Sequence, residues 1–113
     1  MQRIEATFAT DYLDDIMRAI ARLRVPCYMT ASEVRYADET ISHDLEYRGT
    51  CYNVPWEMRA RLEVVISDKE AEGVIGLIVA ALDKDHRSDD AVIVTEVDDA
   101  VRIRTARRGE FAF

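Results

Sequence analysis

The sequence lacks the features that mark several classes of protein. It has no uninterrupted run of about 18 apolar residues, the length that a membrane-spanning helix needs. Its first residues, Met1 to Glu5, lack the apolar core of a signal peptide. The two cysteines, Cys27 and Cys51, have no close metal-type spacing, and in a reducing compartment such thiols usually serve as small hydrophobic side chains. We therefore expect a cytoplasmic protein without membrane insertion.

Positive charge is also scarce. The chain has 15 Lys and Arg against 22 Asp and Glu, a net charge of -7, so binding of nucleic acid through its phosphates is not an expected function. Nearly all the basic residues are arginine, whose planar guanidinium suits phosphate and carboxylate groups. Several of them lie between Arg102 and Arg108, which makes this end basic in an acidic protein.

What is present fits one folded domain. The 113 residues are 49% hydrophobic and 33% charged, which is ordinary for a globular chain. A domain of this size buries only about two thirds of the surface that its unfolded chain exposes, so association between copies would stabilise it.

The first half of the chain predicts a strand, a helix and a second strand. Apolar and polar residues alternate over about 2–9, which is typical of a half-buried strand. Thr10 or Asp11 can cap a helix that continues to about Arg24, because Pro26 interrupts its apolar stripe. Residues 29–36 favour a second strand, although their propensity for it is weaker.

The second half predicts the same order after a long connection. Residues 37–55 show no sustained period and accumulate charge, and connections of this length are usually functional. A clear alternation over 58–66 predicts a strand. Ser67-Asp68-Lys69-Glu70 has the form of a capping box and begins a helix to about Asp83, in which Gly73 and Gly76 suggest close packing on the sheet. A polar turn, a strand over 91–95 and a last alternation over 101–104 follow.

This order predicts an α+β fold. Two βαβ halves with right-handed crossovers build the ferredoxin-like βαββαβ sandwich, with both helices on one face of the sheet. The other face of the sheet is left bare, and packing of three copies through these faces into a trimer would bury it.

Four segments carry short motifs in a fixed order, namely residues 30–34, 47–52, 59–66 and 102–105. Together they resemble the PII signal-transduction family. Residues 47–52 and 59–66 are similar to the end of its T-loop and to its third strand, at the family's spacing. Residues 30–34 resemble its second strand, and Arg102-Ile103-Arg104-Thr105 matches its C-terminal run. The resemblance spans essentially the whole chain. It implies a trimeric regulator with a T-loop over about 37–55 and a B-loop over about 83–91.

The resemblance also implies an adenine nucleotide in the cleft between subunits. Arg102 and Arg104 would face its phosphate oxygens as charge-assisted donors on a rigid strand, and Glu63 would line the cleft unless it is only a surface partner for Arg61 or Arg59. The nucleotide-binding residues expected by this resemblance are Thr30, Ala37, Asp38, Glu39, Glu63, Val65, Arg87, Ser88, Asp89, Asp90, Arg102 and Arg104.

The chain departs from the family in the B-loop. Where the family has Gly-x-x-Gly-Asp-Gly-Lys, this chain has the sequence of residues 85–91, Asp-His-Arg-Ser-Asp-Asp-Ala, which keeps only Asp89. Glycine lets backbone amides approach a phosphate, whereas two carboxylates repel a polyphosphate. We therefore expect ADP or AMP to be preferred over ATP, with Arg87 or His86 replacing part of the lost charge.

A second departure concerns the family's 2-oxoglutarate site. Its T-loop glutamine aligns with Thr40 and its carboxylate-binding lysine with Arg59. Arg59 keeps the positive charge, but Thr40 is a poor substitute for the amide, so another small anion at Thr40 and Arg59 is expected. This combination is compatible with divergent PII-like proteins of the bicarbonate-linked, carboxysome-associated type. Conventional nitrogen-regulatory sensing of ATP and 2-oxoglutarate stays an alternative.

The remaining candidates concern modification and catalysis. Tyr52 matches a position that is nucleotidylated in some family members, and Thr50 lies near a site that is phosphorylated in others. His43 and His86 are the obvious catalytic candidates, but no nucleophile motif or intact phosphate loop accompanies them, so we expect no enzyme and no resident metal or cofactor. A trimeric protein holding a metal or anion at His43, Cys51 and His86 stays an alternative. The expected partner is a transporter or a metabolic enzyme, engaged by residues 37–55 when ligand shifts their conformation.

Overall fold

The computed structural model describes residues 1–38, 41–83 and 90–113, apart from the side chain of His43. Six strands and two α-helices make up the described chain. They are β1 (Gln2–Phe8), α1 (Leu13–Arg22), β2 (Cys27–Ala37), β3 (His43–Tyr47), β4 (Thr50–Val54), β5 (Trp56–Ile66), α2 (Asp68–Leu82) and β6 (Val92–Glu96). Short 3-10 helices cover Thr10–Tyr12 and Gly109–Ala112. Among the described residues, no helix is long and apolar enough to cross a membrane.

The main sheet has the strand order β2-β5-β1-β6, and every neighbouring pair is antiparallel. Helix α1 connects β1 to β2, and β5 lies between these two strands. Helix α2 connects β5 to β6, and β1 lies between them. The two βαβ units are therefore interleaved, which is the split arrangement predicted from the element order. The mixed α/β architecture fits a ferredoxin-like fold.

One hydrophobic core lies between the sheet and the helices. Alternate residues of β1 and β5 are fully buried, among them Ile4, Phe8, Leu62 and Val64, while the residues between them face away from the core. Ile16 and Ile20 of α1 and Val74 and Ile78 of α2 complete the same cluster. Both helices therefore cover one face of the sheet, as the periodicity predicts.

Two expected helix caps are not formed. A 3-10 turn occupies residues 10–12, so α1 begins only at Leu13 behind Tyr12, and neither Thr10 nor Asp11 caps it. Ser67 does stand at the start of α2, but its side chain makes no capping hydrogen bond; its carbonyl accepts a hydrogen bond from the amide of Glu70 at 3.1 Å instead. The capping-box sequence thus marks the start of the helix correctly, but the predicted capping hydrogen bond from the Ser67 side chain does not form.

The expected close packing of Gly73 and Gly76 on the sheet is also wrong. Both are exposed, and an added Cβ would meet no atom within 4 Å at either position. Met58, which the alternation assigns to the core face, is 48% exposed because the apolar face of β5 is covered only from Ala60 onwards.

The long connection after β2 contains regular structure that its lack of period concealed. Strands β3 and β4 form a separate antiparallel hairpin in which Leu45 lies opposite Tyr52. Arg48 and Gly49 form its two-residue turn, with φ of 51° and 77°. Positive φ at both positions matches the twist of a two-residue hairpin, and glycine adopts it without strain. The sequence signal that could have predicted this hairpin is Arg48-Gly49, a two-residue turn ending in glycine, between segments that contain Leu45, Tyr47 and Tyr52.

The segment after β6 is a folded-back loop. Val101 bridges to Arg108, but residues 102–106 turn: the Ala106 amide donates to the Arg102 carbonyl at 2.7 Å, and Ala106 has a φ of 58°. The expectation that Arg102 and Arg104 lie on a rigid strand is therefore wrong, because the chain reverses at these residues.

Candidate functional site

An open groove of about 710 Å³ lies at the end of the sheet where β2 begins and β5 ends. The sheet supplies residues from three strands, and the folded-back loop and the end of the chain supply the rest. Lining residues are Arg3, Tyr28, Val65, Val97, Asp99, Ala100, Val101, Arg102, Ile103, Arg104 and Phe113. The groove therefore combines apolar and aromatic surface with three guanidinium groups.

An aromatic stack forms part of this groove. The rings of Tyr28 and Phe113 have centroids 6.0 Å apart and an interplanar angle of 22°. Arg102 fixes Phe113 in two ways: its Nε donates to the Ala112 carbonyl at 2.6 Å, and its guanidinium carbon lies 5.7 Å from the centre of the Phe113 ring. Sequence reasoning missed Tyr28 and Phe113, because nothing in the local pattern shows that they meet.

Asp99 holds the folded-back loop closed. Its carboxylate accepts hydrogen bonds from the Ala100 amide at 2.9 Å and from the Gly109 amide at 3.1 Å. It also accepts from Nε of Arg108 at 2.8 Å and from the Nη2 of the same guanidinium. The hydrogen bond with Arg108 is the main reason that the pKa of Asp99 lies below its usual value. This carboxylate fixes the loop that carries Arg102 and Arg104.

The groove suits a flat, anionic organic molecule. Aromatic rings bind flat groups by stacking, and guanidinium groups donate charge-assisted hydrogen bonds to phosphate or carboxylate oxygens. The single acidic side chain among the lining residues, Asp99, is already engaged by Arg108 and two backbone amides.

Three of the predicted nucleotide-binding residues, Val65, Arg102 and Arg104, meet in this groove. Thr30 and Glu63 face each other across β2 and β5, two residues along from the pair formed by Tyr28 and Val65. The Oε1 atom of Glu63 lies 3.8 Å from Nε of Arg61, so Glu63 is a surface partner of Arg61 in this structure.

Other predicted residues form a second group at the opposite end of the same two strands. Ala37 pairs with Trp56 at the end of β2, and the half-buried Asp38 follows it. Asp90 lies close by, because its carboxylate accepts a hydrogen bond from Nη1 of Arg59. Arg59, predicted for a small anion, is thus already paired with a carboxylate.

The two groups are far apart within one chain. Val65 and Arg59 are six residues apart on β5, and a strand rises about 3.3 Å per residue, which separates the groups by about 20 Å. A single small ligand does not span that distance. The predicted residues therefore form two partial sites in one chain, and the site at Val65 lies in a concave groove with an aromatic component.

Several predicted residues lie outside the described residues. They are Glu39, Thr40, Arg87, Ser88 and Asp89, together with His86. Tyr52 lies on β4 and is 50% exposed, so a modifying enzyme would have access to it. In the described ranges, no group of three or more His, Cys, Asp or Glu side chains is arranged to hold a metal ion.

Comparison with known proteins gives one consistent family. The family model described as "Nitrogen regulatory protein P-II" matches residues 1–107. A nitrogen regulatory protein P-II of Cereibacter sphaeroides is 31% identical over 112 residues, which is 99% of each chain. The protein of that name from Haemophilus influenzae is also 31% identical, again over 99% of both chains. One from Microchaete diplosiphon is 29% identical over 96% of both. The match covers the sheet, both helices and the loop that carries Arg102 and Arg104, and this chain therefore belongs to the P-II family of signalling and regulatory proteins.

Proposed function

We propose that this chain is a trimeric PII regulator that binds an adenine nucleotide between subunits. ADP or AMP is preferred over ATP, and the bound state is reported to a partner protein, a transporter or metabolic enzyme, by residues 37–55. The observation that carries the proposal is the groove, which is lined by three arginines and a stacked aromatic pair.

The groove supplies the two kinds of contact that a nucleotide needs. Tyr28 and Phe113 offer flat apolar surface for a base, and such stacking is worth about 1 kcal/mol beyond the area that it buries. Arg3, Arg102 and Arg104 offer guanidinium groups for phosphate oxygens. Because Asp99 fixes the loop, Arg102 is held in place before the ligand arrives, and less side-chain entropy is lost on binding.

Assembly between subunits is supported by the separation of the two groups of predicted residues. The group at Val65 and the group at Asp90 lie about 20 Å apart along β5, by the rise of a strand. A neighbouring subunit that brings its Asp90 end to this groove would complete one site from two chains. The bare face of the sheet, which carries Glu5, Arg61 and Glu63, is the surface available for this contact.

The preference for ADP or AMP is supported by the charge of the B-loop. Asp89 and Asp90 stand where the family has a conserved acid and a glycine. A third phosphate adds negative charge next to these carboxylates, and like charges at close range repel. The second effector is proposed to be a small anion such as bicarbonate at Thr40 and Arg59, which has to compete with the Asp90 carboxylate for the Arg59 guanidinium and therefore binds weakly.

The hairpin of β3 and β4 supports the reporting role. It forms its own small sheet, apart from the main one, and exposes Leu45, Tyr47 and Tyr52 at 39%, 58% and 50%. Exposed aromatic residues on a protruding hairpin are typical of a surface that binds a protein partner. Nucleotide binding would act by shifting the population of its conformations.

Calorimetric titration with ADP, AMP and ATP tests the nucleotide proposal. We expect ADP to bind the wild-type chain and Arg102→Ala to weaken this binding by about tenfold or more, since charge-assisted bonds contribute roughly 1.5–3 kcal/mol. Arg107→Ala is the matched control, because Arg107 is an exposed arginine of the same loop that does not line the groove. Absence of adenine nucleotide binding would overturn the proposal, and ATP binding much tighter than ADP would overturn the stated preference.

Two further measurements test the assembly and the second effector. Light scattering coupled to size exclusion should give the mass of three chains of 12.9 kDa, and a monomer mass would contradict the trimer. Titration of the ADP complex with bicarbonate should change nucleotide affinity or amide protection in residues 37–55. An unchanged complex, or a response to ATP with 2-oxoglutarate instead, would favour conventional nitrogen sensing.

A further inference from the structure

The guanidinium group of Arg59 on β5 lies among two carboxylates and an aromatic ring. Its Nε and Nη2 donate to Oε1 of Glu57 at 2.9 and 2.7 Å. Its Nη1 donates to Oδ1 of Asp90. The guanidinium carbon lies 3.8 Å from the centre of the Tyr36 ring. All three nitrogens of this guanidinium therefore have an acidic partner, and one of its faces is covered.

The contact between Arg59 and Asp90 is largely shielded from water, whereas the side chain of Glu57 is 39% exposed. The side chain of Arg59 is 19% exposed and that of Asp90 is 10% exposed. Asp90 is also 31 residues away in sequence, so the contact joins β5 to a residue two positions before the start of β6. An ion pair in such a place is weakly screened, and the loss of one partner leaves the other charge uncompensated.

The next arginine on the same face of β5 shows that this arrangement is not a general property of the strand. Nε of Arg61 lies 3.6 Å from Oε1 of Glu5 and 3.8 Å from Oε1 of Glu63, too far for hydrogen bonds. Its side chain is 42% exposed. Arg61 therefore lies near two carboxylates without a hydrogen bond to either, whereas Arg59 is hydrogen-bonded to two carboxylates.

We infer that Asp90 is a specificity-determining residue, whose carboxylate occupies Arg59 in place of a small external carboxylate or similar oxyanion. A free oxyanion that approaches Arg59 must displace Asp90 or lie beside it and Glu57, and in a site of low exposure that repulsion is strong. Wild-type protein therefore binds small oxyanions at Arg59 weakly, and removal of the Asp90 carboxylate converts the same guanidinium into an open oxyanion site. The inference rests on contacts within one chain, so it does not depend on nucleotide binding.

Acetate tests the inference, because it reproduces the carboxylate that Asp90→Ala removes. We expect the Asp90→Ala variant to have a lower melting temperature than wild type, and sodium acetate to restore part of the loss. Sodium chloride at equal ionic strength should not restore it. The apparent affinity for acetate should be about tenfold or more higher than in wild type, as expected for the loss of a competing charge-assisted contact. Glu5→Ala is the matched control, since it removes one carboxylate from the neighbouring Arg61.

The Nε–H signal of Arg59 in an arginine side-chain NMR spectrum locates the effect. Acetate should shift this signal in Asp90→Ala and leave it in place in wild type and in Glu5→Ala. Asp90→Asn keeps the shape of the side chain and serves as the second variant if Asp90→Ala fails to fold. Equal acetate response in all variants, or an Arg59 signal that does not move in the Asp90 variants, would overturn the inference.

Discussion

The carboxylate of Asp99 accepts a hydrogen bond from Nε of Arg108 at 2.8 Å, and this contact closes the loop that carries Arg102 and Arg104. The same carboxylate accepts the amides of Ala100 and Gly109. One side chain thus fixes both ends of the loop, and its protonation should loosen them together.

Acidification should open this loop locally. The hydrogen bond from Arg108 lowers the pKa of Asp99 in the folded state, so its stabilising contribution is complete above the unfolded pKa and is lost as pH falls through the lowered value, below about pH 4. In an NMR titration, the Gly109 amide and the Asp99 side-chain carboxyl carbon should move with one midpoint. Arg108→Ala should raise that midpoint and Arg107→Ala should not. An unchanged midpoint in Arg108→Ala would contradict this prediction.

Removal of the Phe113 ring should weaken ligand binding in the groove. Phe113→Ala deletes one ring of the stack with Tyr28 and the surface that Arg102 covers. We expect ADP affinity to fall by about five- to tenfold, which corresponds to an aromatic contact of roughly 1 kcal/mol. Phe111→Ala is the matched control, because Phe111 is 79% exposed and does not line the groove. Calorimetry that shows the same loss in both variants would count against a role for the stack.

Phe8 should be among the residues on which the fold depends most. It is 0% exposed and lies in the cluster between β1 and the helices. Phe8→Ala should lower the free energy of unfolding by about 3–5 kcal/mol, because the substitution leaves a cavity. Val79→Ala, at a position of α2 that is 50% exposed, should change it by less than about 0.5 kcal/mol. Chemical denaturation measures both, and equal effects would contradict the assigned core.

Gly76 offers a stabilising substitution. It lies in the interior of α2, is exposed, and has open space where a Cβ would stand. Gly76→Ala should raise the free energy of unfolding by about 0.5–1 kcal/mol, because alanine loses less backbone entropy in a helix. Val74→Ala in the same helix should have the opposite sign, since Val74 is fully buried. A lower melting temperature for Gly76→Ala would show that this face of the helix is covered in the assembly.

The two cysteines should react at different rates. Burial raises the pKa of the Cys27 thiol, whereas Cys51 is exposed on the hairpin. Since the thiolate is the reactive form, a thiol reagent at neutral pH should modify Cys51 first. Cys51→Ser should remove the fast phase of the reaction, and Cys27→Ser should leave it. A fast phase that depends on Cys27 would contradict the burial of its thiol.

Much of the fold was predictable because its cause is local. The alternation in β1 and β5 assigns one face to the core, and the stripes of α1 and α2 assign the other layer. The prediction fails where a local signal is ambiguous. Residues 43–54 show no sustained apolar period, yet the turn at Arg48 and Gly49 pairs them as two strands. The alternation at residues 101–104 predicts a strand, and the chain turns there instead.

The candidate site was predictable only in part. Val65, Arg102 and Arg104 were identified by resemblance, and the structure brings them into one groove. Tyr28 and Phe113 were not identified, because residues so far apart along the chain give no sign in the sequence that they stack. The pairing of Arg59 with Asp90 was missed for the same reason, although both residues were named for separate roles.

The sequence by itself determined the two-layer fold and the family, since periodicity and short motifs are properties of neighbouring residues. Only the tertiary structure decided which charged side chains are already paired with each other and which surfaces are accessible to a ligand. Asp99 and Asp90 are equivalent in the sequence as acidic residues of polar segments, but one closes the loop beside the groove and the other occupies Arg59. Their partners lie distant along the chain or across a turn, and folding alone brings those charges within hydrogen-bonding distance.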